Sequence, residues 1–227
     1  MAFNDDSFIR EVNEELRSDQ MKGAWQRFGR YLIVLAVLIV LGTVGYKVFE
    51  YWDNNQSSGT GDQFIAAMKL ADENKSDEAL AALEKLEKEG HGDYPILARL
   101  RAASVLAQKG DATGAIAAFD VIGKDQKAPA PIRDAAKMRA AWLLIENGTY
   151  EQVSAQVEEM AVPTNAFRHS AREALGLAAY KAGNMAQARQ WYQAIADDAQ
   201  SPRNVANRAQ MMLDNITASG KAPAAQG

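Results

Sequence analysis

The groups of this chain best suited to acid–base chemistry are two histidines, His91 and His169, and the adjacent carboxylates Glu158-Glu159 and Asp197-Asp198. General acid–base or covalent catalysis needs such groups gathered beside a nucleophile, with their pKa values moved toward the working pH. Neighbouring acids on a helix point to different sides, and the histidines lie far apart with no nucleophile motif near either. No glycine-rich phosphate loop precedes a helix, and no Gly-x-Ser-x-Gly turn presents a serine. The chain has no cysteine, so a metal set would rest on the two histidines alone. Each histidine reads as a solvated loop or helix-surface residue. The expectation is therefore a non-enzyme with no cofactor and no metal, an enzyme with an unrecognised site being the rival. Arg101 and Arg139 stand apart as possible carboxylate clamps, the competing reading being two solvated helix charges.

Charge excludes a further class. From Asp62 onward there are 19 Lys and Arg against 21 Asp and Glu, with no basic block. A protein that neutralises phosphates concentrates positive charge, so nucleic acid is not an expected partner.

The element that dominates the N-terminal part is an uncharged run over 31–46, mostly Leu, Ile and Val. As a helix it would cover about 24 Å, and 48–52 extends it, with Lys47 able to reach outward along its own stem. Trp25, Tyr31, Tyr46, Tyr51 and Trp52 cluster at its two ends, where amphipathic rings favour the headgroup layer. A retained transmembrane helix over 30–52 is expected; a buried helix and a cleaved signal peptide are the alternatives. Arg17, Lys22, Arg27 and Arg30 precede the run and only Lys47 closely follows it. By the positive-inside rule the N-terminus is cytoplasmic and the larger C-terminal part periplasmic, at a bacterial inner membrane.

Residues 1–29 form a cytoplasmic arm in which Phe8, Ile9, Val12 and Leu16 follow helical spacing. That short amphipathic helix would either dock a partner or lie on the inner leaflet. Gly42 and Gly45 make a patch where another helix could approach, or simply face lipid.

Residues 53–61 read as a linker, 62–217 as a repeat domain and 218–227 as a disordered tail. Aligning Asn74, Gly110, Gly148 and Gly183 as turns places helical runs before them at 62–73, 96–109, 132–147 and 166–182. A second set follows them at 77–89, 112–123, 150–160 and 185–198. Gly and Asn accept the left-handed conformation that closes a helix, and Pro95, Pro129, Pro131, Pro163 and Pro202 mark the entries to the next run. Five positions after each turn stand Ala79, Ala115, Val153 and Ala188, and one helical turn further Leu83, Phe119, Val157 and Tyr192. Before the turns, Ala103, Ala141 and Gly176 supply small contacts. Val153 breaks the small-residue pattern and suggests looser packing in the third unit. A helix over 203–217 would close the last pair.

This pattern resembles the tetratricopeptide repeat, whose period is near thirty-four residues. The expected fold is all-α: one N-terminal transmembrane helix, then an α-solenoid of about four helix pairs and a capping helix. An unrelated helical bundle is the alternative. In such a solenoid the first helices of the pairs line the concave side. Counting back from the turns, Phe64, Met68, Ser104, Gln108, Met138, Trp142, Glu146, Glu173, Leu177, Tyr180 and Lys181 become candidates for a protein-binding groove. The apolar ones serve equally well as core between repeats.

The whole layout also resembles the ancillary subunit of the bacterial SecYEG translocon, a YfgM-like family. The resemblance lies in the arm and single span followed by Tyr51-Trp52-Asp53-Asn54, in the stretch from Tyr94-Pro-Ile-Leu, in 172–189, and in the closing Ala209-Gln-Met-Met-Leu-Asp-Asn-Ile. The arm around 8–30 departs from the short leader of that family. The resemblance implies a non-catalytic adaptor beside the Sec channel, paired with a membrane-anchored periplasmic chaperone of the prolyl-isomerase type and helping to pass emerging proteins to periplasmic chaperones. A periplasmic scaffold for cell-envelope assembly or cell division is the alternative function.

Overall fold

The computed structural model describes the backbone of residues 5–220 and the side chains of 27–51 and 58–220. Among the described residues the secondary structure is helical. Helix α1 (Asp5–Asp72) is followed by α2 (Ser76–Glu89), α3 (Tyr94–Gln108), α4 (Ala112–Lys124) and α5 (Ala130–Asn147). Then come α6 (Tyr150–Val157) with a 3₁₀ turn (Glu158–Met160), α7 (Arg168–Lys181), α8 (Met185–Ala196) and α9 (Arg203–Ala218). The chain divides into two compact units, Met1–Gln56 and Ser57–Gly227. The division falls inside the segment expected as a linker, whose backbone is helical.

In the first unit, Arg27–Tyr51 is long and apolar enough to cross a membrane, and it is not buried within the protein. Its 25 residues would span about 37 Å, enough for a hydrocarbon core of about 30 Å. The Thr43 hydroxyl donates to the Ile39 carbonyl one turn back, which removes its need for an outside partner. Lys47 and Glu50 form an ion pair at 2.6 Å near the C-terminal end of the segment. At the other end the Arg30 guanidinium stacks over the Tyr31 ring at 4.9 Å. The side chains of the amphipathic arm, of Trp25 and of Trp52 lie outside the described residues.

The second unit is built of helical hairpins. The last turns of α1 pair with α2, α3 with α4, α5 with α6 and α7 with α8, and α9 packs on α8. The buried residues fall into layers, each made of one hairpin plus the first helix of the next. Ala67, Ala79, Leu83 and Ala98 join α1, α2 and α3, and Ala103, Phe119 and Ala136 join α3, α4 and α5. Met138, Val153 and Leu175 join α5, α6 and α7, and Ala179, Tyr192 and Leu213 join α7, α8 and α9. Each hairpin thus covers its apolar face only by meeting its neighbour, which is the physical signature of a repeat array. Beyond α8, α9 buries Val205, Ala209, Leu213 and Ile216 while exposing Asn204, Asn207, Arg208 and Gln210, as a closing helix must.

Three of the hairpin turns share one hydrogen-bonding scheme. Asn74, Gly110 and Gly183 have φ of 62°, 91° and 77°. The next residue's N–H reaches back to Leu70 O (2.9 Å), Leu106 O (3.0 Å) and Ala179 O (2.9 Å), so an otherwise orphaned carbonyl is satisfied. Asp111 and Asn184 then cap α4 and α8 through their side chains, accepting from Gly114 and Gln187 N–H.

Gly148 departs from the left-handed turn expected there: its φ is −139° and its backbone extended. Thr149 starts α6 at once with a capping box, its hydroxyl accepting from Gln152 N–H while Gln152 Oε1 accepts from Thr149 N–H at 2.9 Å. A side chain at 148 would crowd the capping box, since a Cβ would stand 2.6 Å from Gln152 Oε1 and 2.9 Å from Leu144 Cδ2 and both side-chain ends would have to shift. Val153 is fully buried, and the third unit differs in its short second helix, ended by the 3₁₀ turn.

Candidate protein-binding site

Four of the eleven candidates, Ser104, Glu173, Tyr180 and Lys181, are held by links from one first helix to the next or to α9, with partners 35 or 36 residues apart, and Arg101 makes a similar link to the end of α1. The Arg101 Nη2 donates to Asp72 Oδ1 at 3.1 Å, and Arg139 Nη1 donates to the Ser104 hydroxyl at 2.7 Å. Lys181 Nζ donates to the carbonyls of Ile145 and Glu146, both at 2.7 Å, capping the C-terminus of α5 where the helix dipole favours a cation. Glu173 takes a bidentate fork from Arg208 at 2.6 and 2.8 Å, which pushes the Arg208 pKa up. Tyr180 donates its hydroxyl to Asn215 Oδ1 at 2.9 Å.

The apolar candidates divide. Met138 is buried among α5, α6 and α7 and belongs to the core. Leu177 packs half-buried against that core. Phe64 is half-buried, its ring centroid 5.8 Å from that of Tyr94, and Met68 is half-buried on the same helix. Trp142 is different: it keeps 39% of its surface exposed on α5. Glu146 and Gln108 are exposed as well.

Three candidates from two helices meet in one place. Ser104 and Gln108 of α3 and Trp142 of α5 line a cleft of about 270 Å³ whose walls also hold Arg101, Arg139 and Phe119. Phe64, Met68, Glu173, Leu177 and Tyr180 do not line it. The two arginines read from sequence as possible carboxylate clamps therefore stand in one cleft, each bound to a neighbouring first helix through one nitrogen. Arg101 Nε is buried and has no hydrogen-bond partner among the described residues.

A second polar cluster has no counterpart in the sequence reading. His169, expected at a solvated surface, is buried on α7, and its Nε2 lies 2.9 Å from Asp198 Oδ2. The same oxygen accepts from Arg168 Nε and Arg172 Nη1, both at 3.1 Å, while Asp198 Oδ1 accepts from Gln200 N–H at 3.0 Å. The Gln200 amide, with His169 and Arg168, holds the Asp198 carboxyl far below the usual carboxylate range. Arg172, itself buried, also donates to the carbonyls of Ala161 and Ala194. One carboxylate thus ties α7 to the loop after α8. These bonds hold the cluster together within the fold, whereas the neighbouring Asp197 is exposed and bonded to Gln193. His91, in the loop before α3, is half-buried. Among the described residues, no three His, Asp or Glu side chains gather in a way that could hold a metal ion.

Comparison with known proteins agrees with the helical-hairpin architecture. The tetratricopeptide repeat-like domain family matches residues 22–218. No curated protein and no solved structure matches the chain. Domains of this type mediate contacts between proteins, and the match takes in the apolar helix as well as every hairpin. The chain belongs to the family of tetratricopeptide repeat-like domain proteins.

Proposed function

We propose that this protein is a membrane-anchored, non-catalytic scaffold that receives partner proteins on its row of first helices. The observation that carries this reading is the cleft between α3 and α5, where exposed Trp142 stands beside two arginines, while Glu173, Tyr180 and Lys181 on the same row are engaged in links within the fold. A large amphipathic ring in a partly open cleft is the kind of anchor that dominates protein contacts. The apolar segment Arg27–Tyr51 would hold this surface at a membrane, with the N-terminus cytoplasmic and the repeat unit periplasmic by the distribution of basic residues.

The finer proposal is an ancillary subunit of the SecYEG translocon that links emerging proteins to a membrane-anchored periplasmic chaperone. It rests on the resemblance of the layout and on the effect of anchoring, which raises local concentration so that weak binding suffices. Purification of the full-length protein from inner membranes in mild detergent tests it. Co-purification of Sec channel subunits and a chaperone supports the proposal; recovery of wall-synthesis or division proteins in their place would replace it with an envelope scaffold. Orientation is tested separately: the chain has no cysteine, so Gln190→Cys on exposed α8 offers a single thiol. Labelling of intact spheroplasts by an impermeant reagent is expected, and labelling only after lysis would reverse the topology.

A further inference from the structure

We propose that the cavity at the turn between α5 and α6 binds a small neutral molecule with an apolar body and one carbonyl group. This site is separate from the protein-binding cleft and does not depend on which partners the first helices receive. The cavity, of about 270 Å³, lies where the end of α5, the start of α6 and the end of α7 meet. It stands at the turn that departs from the left-handed scheme, where Gly148 is extended and α6 begins at once. Leu144, Ile145 and Ala178, all buried, give it an apolar wall. An apolar cavity of about 150 Å³ holds benzene, so this one has room for a single ring carrying a short chain.

Two hydrogen-bond donors on the wall are left over by the fold. The Tyr150 hydroxyl oxygen accepts from Gln187 Nε2 at 2.8 Å and from Trp191 Nε1 at 3.2 Å. The neighbours of Gln187 fix which end of its amide faces Tyr150. Its backbone N–H donates to Asn184 Oδ1 at 3.2 Å, so Asn184 Nδ2 donates to Gln187 Oε1 at 2.9 Å and Nε2 is the end left for the phenol. An indole N–H can only donate. Both contacts therefore use the phenol oxygen as an acceptor, and its own proton meets no protein acceptor among the described residues. Burial pushes the Tyr150 pKa up, which keeps that proton in place at neutral pH. Lys181 Nζ uses two of its three N–H groups on the Ile145 and Glu146 carbonyls, and the third meets no protein acceptor among the described residues.

Charge selects against an ion. Lys181 and Glu151 are the charged groups of the wall, and their formal charges cancel. A carboxylate would face Glu151; an ammonium would face Lys181 and bring no acceptor. A neutral carbonyl oxygen supplies the acceptor without adding a charge.

The test uses full-length protein in lipid nanodiscs with labelled alanine methyl groups, read by NMR at Ala178 and Ala182, which both line the cavity. The probe is phenylpropanamide; its terminal amine and acid counterparts, phenylpropylamine and phenylpropanoate, share the ring and chain. Saturable methyl shifts are expected with the amide, and affinity at least about fivefold weaker for either ion. Tyr150→Phe, which removes the unpaired proton, is expected to lower amide affinity by about fivefold. Ala182→Leu, which fills the cavity from an exposed position, is expected to abolish the shift at Ala178. Melting curves establish that each variant folds; should Tyr150→Phe fail to fold, Ala182→Leu and the ligand series still decide. No saturable shift with the amide, equal binding of amide and amine, tighter binding of the acid, or unchanged affinity in Ala182→Leu overturns the inference.

Discussion

The ring of Tyr192 rests on the backbone at Gly176: a Cβ added there would stand 3.0 Å from Cζ and 3.1 Å from Cε2 of the ring. This contact brings α7 and α8 together at the centre of the last full hairpin, with Ala179, Ala188 and Ile195 buried around it. Gly176→Ala forces the ring aside in a packed layer and is expected to destabilise the repeat unit by about 1–3 kcal/mol. Thermal unfolding followed by circular dichroism checks this.

The same ring makes the unit sensitive to alkali. Burial pushes the Tyr192 phenol above its ordinary pKa, with the Glu173 charge adding to the effect. The folded state therefore favours the neutral phenol. Its contribution is full below the unfolded value of about 10 and falls as pH rises past it. Tyr192→Phe is expected to flatten the decline in melting temperature above that pH.

Acid should act through Asp198. Its pKa is lowered in the folded state, so its contribution is complete above the unfolded carboxyl value of about 4 and is lost as pH falls through the lower folded value. Asp198→Asn is expected to lower the melting temperature at neutral pH and to weaken its acid dependence. Asp197→Asn, at the exposed neighbour, should do neither. Parallel melts of the two variants between pH 3 and 7 decide the matter.

The left-handed turns separate glycine from asparagine. Ala at 110 or 183 must adopt the positive φ now held by glycine, at a cost of about 1–2 kcal/mol each. Asn74→Gly should be close to neutral or mildly stabilising, because the turn already has that geometry with a side chain present. Chemical denaturation of the three variants measures the difference.

The hairpins were legible because their signals are local. Gly110 and Gly183 sit where a helix must reverse, and Ala79, Ala115 and Ala188 recur at a fixed offset from the turns, all fully buried. Gly148 misled because the same residue type serves two purposes; the Thr149–Gln152 capping box in the sequence was the signal for an immediate restart. The site was less legible because side chains on one face of a first helix can face a partner or the next repeat. The pairs Ser104–Arg139, Glu173–Arg208 and Tyr180–Asn215 each lie 35 residues apart, so polar partners separated by one repeat length would have marked them as links. His169 and Asp198 lie 29 residues apart on elements whose contact depends on how α7 and α8 pack, which spacing alone does not supply.

On the proposed function, partner proteins bind on the row of first helices. The most direct measurement is photo-crosslinking in intact cells from a probe at Trp142 on α5 and, as a control, from one at Val121, exposed on second helix α4. Protein adducts from position 142 that are absent from position 121 are the predicted result. Equal adducts from both positions, or adducts from 121 alone, would contradict it.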